Sequence, residues 1–484
     1  MRSTVVRVVL LVVAAALTAV LLMPAPPPDR LTVRGERFFL AGVNYPWRTG
    51  QDFGTGAWGH SGVSNPTTRA EVETDFANMA AHGVRIVKWR VFGDGRYSPE
   101  FDEHGVPVGF DERFFMDLDA ALDIAERHDI YLVLVLFDSG FWATHCDNKG
   151  VQLGGHADVL TDPMKRQALV DRVIVPFLRH VDNHPRVVAY EVVAEPDWGV
   201  QELHTDDDGR IKVTLDQARA FIRSIVGAIR AESGALVTVE ANRSRNMAAW
   251  RNLGLDYYSF SWYDWLEPYD PLQVDAASFG LDRPIVLGEY PTRSSVYDLE
   301  TILDTTFERG YAGAFAWSFV GADRYGSLVD QRAAYVAWLE RRWPALHLFA
   351  PHPPSPDVPL LPPPYAVQDV HLGIDRAGVA VKADLLVRDG SSVVARFFVT
   401  PVGETDAKAG ATTSAVPDER GLATLRGTLA GLVEGQPYKL SLGLFGRDGS
   451  LLKWFDNLAH LQVEQGRIRQ PELATLALEN PCQR

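Results

Sequence analysis

Cysteine is scarce in this chain, with Cys146 and Cys482 the whole supply among 484 residues. No CxxC or Cys/His spacing surrounds them, so a structural zinc site is not expected. Two thiols so far apart either pair in an oxidising compartment, tying the C-terminus to the main body, or stay free; the sequence leaves both open. Blocks rich in Lys and Arg are missing too. With 47 basic against 62 acidic residues, the net charge is −15, which argues against nucleic acid and anionic membrane surfaces as partners. No glycine-rich phosphate fingerprint follows the first strand-like stretch, which weakens a doubly wound nucleotide-binding sheet. Asp138, Asp147 and Asp264 fall on different loops without ligand spacing, so neither a metal nor a cofactor is expected.

What is present begins with a targeting element over 1–30. Arg2 and Arg7 precede an apolar run over 8–23, and a proline-rich stretch from Pro24 to Pro28 follows. The run is slightly long for a signal-peptide core and slightly short for a spanning helix, and no clear A-x-A cleavage site is visible. A cleaved signal and an uncleaved N-terminal membrane anchor both fit. Either places the body outside the cytoplasm, secreted or tethered to the cytoplasmic membrane.

From residue 31, strand-like and helical patterns alternate. A short hairpin arm (31–37) feeds a first strand over 38–45, FFLAGVNY. Further strands are expected at 84–92, 131–137, within 187–198 (closed by Glu195-Pro196), 235–241, 255–263, 284–290 and 312–320. Helical periodicity fills 67–82, 112–128, 161–183, 214–232, 294–309 and 330–343, whereas the fifth and sixth crossovers look short in helix. Thr161-Asp162-Pro163 reads as a cap followed by proline in the first turn. Eight strands in this rhythm predict an α/β fold, a (β/α)8 TIM barrel over 31–345. A stiff proline-rich linker follows at 346–365, containing APHPPSPDVPLLPPP. Short alternating runs over 366–465 predict a small C-terminal antiparallel β-sandwich, with a tail over 466–484. Trp454 and Phe455 in it are either a sugar platform or core, and a structural or accessory role is the preferred reading.

Two of the barrel strands end on glutamate. In VVAYEVVAEPDW (187–198), Glu195 closes a buried run just before Pro196, which has no N–H to extend the ladder. In PIVLGEYP (284–291), Glu289 stands before Pro291 in the same way. The carboxyl ends of barrel strands are where this architecture keeps its chemistry. Two carboxylates on one rim can cleave a glycosidic bond, one protonating the leaving oxygen and the other attacking the anomeric carbon. Singly, each would be read as a rim carboxylate paired with Arg or Lys; together, catalysis is the better reading.

The strand count, the fourth strand ending in Glu-Pro, the GEY of the seventh and LTVRGERFFLAGVNYP at 31–46 resemble retaining glycoside hydrolases of the clan that includes family 5, the cellulase and β-mannanase group. The resemblance covers the barrel alone. It implies Glu195 as acid/base, Glu289 as nucleophile and Tyr263 as hydrogen-bond donor to Glu289. It also implies Trp317 as aromatic floor under the sugar and Glu191 as a buried glutamate four residues before the acid/base. Three departures stand out. The family's asparagine before the acid/base is Ala194, its strand-six histidine is Ser261, and its strand-two arginine is Lys88 unless Arg90 takes the part. Strand three ends Phe137-Asp138, where a His-Asn pair is common.

These changes leave both carboxylates but alter what orients the sugar, so the substrate is expected to differ. The missing amide at Ala194 makes an axial 2-hydroxyl, as in mannose, more plausible. Trp47, Trp198 and Trp265 on the rim loops are expected to stack on sugar rings, with Asp138, Ser261 and Asn44 beside them. Trp142 is a further rim candidate, whereas Trp262 is read as core; His60 and His145 are read as solvated loop residues. The expected protein is an exported retaining β-glycosidase of a poly- or oligosaccharide, with a bell-shaped pH profile in the mildly acidic to neutral range. Its alternatives are a transglycosylase and a catalytically silent glycan-binding barrel.

Overall fold

The computed structural model describes residues 30–33, 35–49, 52–54, 62–148, 150–204, 212–267, 271–320, 325–346, 358–402 and 408–470. The expected targeting segment up to residue 29, most of the linker, the tail from 471, His60 and Cys482 lie outside them.

Eight parallel strands close into a barrel: β1 (Leu40–Tyr45), β2 (Ile86–Gly93), β3 (Tyr131–Asp138), β4 (Val187–Ala194), β5 (Leu236–Ala241), β6 (Tyr258–Ser261), β7 (Ile285–Pro291) and β8 (Gly313–Trp317). They pair in sequence order, and β8 returns to β1. The open doubly wound sheet is therefore excluded. Helices α1 (Pro66–Ala81), α2 (Phe114–Arg127), α3 (163–181, continuous through a π turn at Val170–Ile174), α4 (Leu215–Glu232), α5 (Leu299–Glu308) and α6 (Leu328–Leu346) wrap the outside. Asp162 caps α3 by accepting from the Met164 N–H, with Pro163 in the first turn. Thr214 and Gln217 form a reciprocal capping box on α4. Among the described residues, the fifth and sixth crossovers hold only 3-10 turns, at Ser244–Trp250, Pro271–Gln273 and Ala276–Phe279, as their weak helical pattern implied.

Inside the barrel the two ends differ. At the amino end, the small hairpin Leu31–Val33 with Glu36–Phe38 packs over an apolar cluster containing Leu40, Ile86, Val133, Val188, Val286 and Phe315. At the carboxyl end, the same strands turn polar: Asn44, Lys88, Glu191, Glu240, Ser259 and Glu289 are all buried. Strand β6 ends at Ser261, two residues short of expectation, so Tyr263 belongs to the rim that follows rather than to the ladder.

Beyond the linker, β9 (Tyr365–Asp375), β10 (Gly378–Val387) and β13 (Leu422–Leu429) form one antiparallel sheet. A second holds β11 (Val393–Pro401), β12 (Lys408–Ala415), β14 (Pro437–Phe445), β15 (Leu451–Glu464) and β16 (Arg467–Arg469). Alternate residues of the two sheets meet in an apolar core of Val, Ala, Leu and Phe, a sandwich. It docks on α1. Lys453 reaches buried Glu71 at 2.8 Å, Arg388 donates to Thr74 at 2.8 Å, and Asn78 clasps the Leu361 backbone at 2.7 and 3.0 Å.

Candidate active site

Glu195 is the first residue beyond β4, held in the left-handed region at φ 51° and ψ 47°. A non-glycine residue there is strained, and its surroundings must hold it. Its N–H donates to the Glu240 carbonyl at 2.8 Å, and Pro196 opens a 3-10 turn over Pro196–Gly199. That turn brings the Trp198 indole back to donate to Glu195 Oε2 at 3.0 Å. Beneath it, fully buried Asp197 accepts from the Asn242 N–H at 2.9 Å and the Trp250 indole at 3.0 Å. Burial pushes the Asp197 carboxyl up to about 7.

Glu289, on β7, is buried. The Tyr263 hydroxyl donates to its Oε2 at 2.9 Å, and the Arg90 guanidinium stands 3.7 Å from Oε1. Arg90 lies between the rings of Trp47 and Trp317, 5.4 and 5.3 Å from their centroids, which fixes the cation on the cleft side. Lys88 is two residues earlier on the same face of β2 and therefore deeper. Its Nζ is 2.8 Å from Glu240 and 3.1 Å from Glu191. Of the two strand-two cations, Arg90 accompanies Glu289, and Lys88 serves the layer below.

Four carboxylates (Glu191, Glu195, Glu240, Glu289) thus face two cations (Lys88, Arg90), so full ionisation would leave −4 + 2 = −2 in a largely dry site. Such a cluster retains protons. Burial first, then the Glu240 and Glu195 charges, lift the Glu289 carboxyl well above the carboxylate range, against Arg90 and Lys88. Burial and Glu240 likewise raise Glu195, against Trp198, Ser261 and Arg90. The two titrate as a pair holding one proton over a middle pH range. Burial alone would leave that proton on Glu289, the more enclosed of the two. The Tyr263 hydroxyl and Arg90 both favour the anion there, whereas Glu195 sits nearer solvent with the Trp198 N–H as its close donor. The geometry therefore supports a protonated Glu195 beside an ionised Glu289.

No protein-family model matches the chain. Among curated proteins it is similar to a mannan endo-1,4-beta-mannosidase of Cryptopygus antarcticus, 25% identical over 326 residues, 59% of this chain and 81% of the relative. A mannan endo-1,4-beta-mannosidase of Mytilus edulis is 23% identical over 329 residues, 60% and 85% of the two chains. Among solved structures, the endo-1,4-beta-mannanase of Eisenia fetida superposes with a TM-score of 0.55 at 24% identity, over 63% of this chain and 92% of that one. The structural likeness carries the fold, and the sequence relatives carry the chemistry. The chain is a glycoside hydrolase, similar to enzymes of the family 5-like type. It is a retaining β-glycosidase of poly- or oligosaccharide, as the paired strand-end glutamates implied.

In this hydrolase the rim aromatics divide. Trp47 and Trp265 are 44% and 40% exposed, free to offer a face, and Trp265 stacks on Tyr325 at 4.3 Å. Trp198 is half-buried against His204, and Trp317 is buried, with 8% exposure left. Trp142 and Trp262 are buried; for Trp142 this corrects the rim expectation, because the 3-10 turn after β3 folds its indole inward against Gly199. Asp138 caps that turn by accepting from the Gly140 N–H at 2.8 Å, and it also faces Arg90 at 3.8 Å. Trp47, Arg90, Asp94, Arg96 and Asp138 line a cavity of about 320 Å³. Asn44 spends its amide donor on the Gly288 and Ala316 carbonyls at 3.0 and 3.3 Å, tying β1 to β7 and β8 rather than facing the cleft. Ser261 is buried close to Glu195 without a well-formed hydrogen bond.

Glu240 joins this cluster without a proline or other breaker to mark it in the sequence. Glu240 ends β5 in LVTVEA, touches Lys88 with its carboxylate and holds Glu195 with its carbonyl. The signal was available, since it is a third carboxylate at the end of a barrel strand.

Proposed function

We propose that the hydrolase is an exported endo-acting β-1,4-mannanase working by double displacement, with Glu195 as acid/base and Glu289 as nucleophile. The observation that carries the roles is the pairing of Glu289 with Tyr263 and Arg90 on the rim that also holds Glu195. Glu289 attacks the anomeric carbon while Glu195 protonates the departing oxygen. The Tyr263 hydroxyl then keeps its bond to the esterified carboxyl, and Glu195, now a base, takes the proton of the incoming water. Mannan as substrate is supported by the names of the relatives and by Ala194, which leaves no amide at the sugar's 2-position. Trp47, Trp198, Trp265 and Trp317 are assigned to sugar stacking, with Asp138 and Ser261 as polar neighbours.

Export is supported by the basic-then-apolar segment at 1–30 and by Cys146, which is engaged in a disulfide. Among the described residues no helix is long and apolar enough to cross a membrane. The test is reducing-end release from a soluble β-1,4-mannan against β-1,4-glucan, with Glu195→Gln and Glu289→Gln alongside. Mannan turnover lost in both variants is expected; glucan preferred over mannan would overturn the substrate, and turnover kept in either variant the roles.

A further inference from the structure

The mechanism above uses Glu195 and Glu289 and leaves a second carboxyl pair unused beneath them. Glu191 and Glu240 are 1% and 0% exposed, and both lean on one cation, Lys88, itself 3% exposed. The ammonium takes one oxygen of each, at 3.1 Å from Glu191 Oε2 and 2.8 Å from Glu240 Oε2. Oε1 of each is buried and has no donor. The two carboxyls thus converge on a single ammonium.

Water cannot supply the missing donor. The enclosed space bounded by Asn44, Lys88, Glu191, Ala194, Glu240 and Glu289 has no room for a water-sized sphere. Gly288 closes the other side, where a Cβ would fall 1.9 Å from Glu240 Oε1 and 2.2 Å from Ser259 Oγ. Two orphaned carboxylate oxygens in a dry pocket are costly, and one proton between them satisfies both.

We propose that Glu191 and Glu240 share one proton on Lys88, forming a charge-neutral floor under the reacting pair, with Glu240 as a positioning residue for Glu195. One ammonium, one carboxylate and one carboxylic acid sum to zero. The floor then adds no third negative charge beside Glu289, which can stay ionised while Glu195 keeps its proton. The charged and titratable groups facing the pair are Lys88 and Arg90 from β2, Glu195 beyond β4, Tyr257 and Tyr263 flanking β6, and Glu289 from β7. Burial raises Glu191 to about 8, with the Glu240 charge adding and Lys88 opposing, in keeping with a proton held at neutral pH. Glu240 also fixes its neighbour directly, since its carbonyl accepts the Glu195 N–H at 2.8 Å.

The role in catalysis rests on the glycosidase assignment of Glu195 and Glu289, but the shared proton is measurable without any substrate. Infrared difference spectra of the full chain at pH 7 report protonated carboxyls directly. Wild type is expected to show one carboxylic-acid band that both Glu191→Gln and Glu240→Gln lose. Because a glutamine replaces a neutral acid and leaves the floor at zero charge, the alkaline limb of kcat/KM on a soluble mannan stays in place in both. Lys88→Met removes the cation, and that limb moves up by about one pH unit. Spectra of both glutamine variants superimposable on wild type in the carboxylic-acid region would overturn the proposal. So would a Glu240→Gln limb displaced downward by about one pH unit, the mark of a pair fully ionised in wild type. Absence of mannan turnover would sink the substrate assignment and leave the infrared test readable.

Discussion

The barrel and the sandwich are both packed around apolar side chains, yet they treat charge in opposite ways. The sandwich core is Val, Ala, Leu, Phe and a Tyr; among its described residues the buried polar groups are Thr400, Ser441 and His460. Asp418 and Asp448 lie in its exposed turns and are held low by hydrogen bonds from their own loops. The barrel buries Lys88, Glu191, Asp197, Glu240 and Glu289 at one end. Removing a charge from water costs several kcal/mol even after relaxation. A fold carries that cost where the charges do something, and the barrel's amino end, plugged with Leu, Ile, Val and Phe, carries none of it. Inside the ring of strands, buried charge thus marks the carboxyl end and not the amino end.

The sharpest way to break the comparison is at the proposed reacting pair. Glu289→Gln and Glu195→Gln are each expected to lower kcat by roughly a thousandfold or more on a polysaccharide substrate, with little change in the circular dichroism spectrum. In the sandwich, Leu442→Ala should do the reverse. Leu442 is fully enclosed, so the cavity costs about 2–5 kcal/mol, read as a lower denaturant midpoint, while kcat/KM stays within twofold. A large kcat loss there would mean that the sandwich shapes the cleft.

The barrel's buried acids give stability a pH slope opposite in sign to the one set by the sandwich's depressed carboxylates. Glu191 is raised from 4.5 to about 8 and Asp197 from 3.8 to about 7. A carboxyl whose folded value lies above its unfolded one binds more protons in the native state, so stability is greatest below the unfolded value and falls as pH rises toward the folded one. The melting temperature of the barrel should therefore decline from about pH 4.5 to about pH 8, and Glu191→Gln should flatten that decline. The smallest effect is expected at the junction. Lys453→Ala removes a 2.8 Å partner of Glu71, but Arg48 remains 3.6 Å away, so the loss should be about 1 kcal/mol with activity unchanged.

Much of this was legible in the chain itself. Val- and Leu-rich runs of strand length, spaced by helical periodicity, place all eight barrel strands, and even the helix-poor fifth and sixth crossovers show as weak pattern. Glu195 and Glu289 announce themselves because a proline follows each at a strand end. Lys88 and Arg90 could not be separated, because side-chain parity puts both on one face and only depth along the barrel axis distinguishes them. Glu240 carries no comparable mark, because Ala241 and Asn242, unlike Pro196 and Pro291, do not signal a strand stop. Trp142 looked like a rim aromatic because sequence gives a loop position and not the direction in which a 3-10 turn folds its side chain. Asn44 shows the same limit, since only the closed barrel reveals that its amide is taken by Gly288 and Ala316.

The central claim is that Glu289 becomes covalently bonded to the sugar while Glu195 supplies and then removes the proton. Trapping tests it most directly. The protein is incubated with a 2-deoxy-2-fluoro β-mannosyl donor bearing an activated leaving group, and the labelled peptide is identified by mass spectrometry. The account predicts one glycosyl adduct, on Glu289, and none in Glu289→Gln. An adduct on Glu195, or active protein turning over substrate with inversion and no adduct, would contradict it.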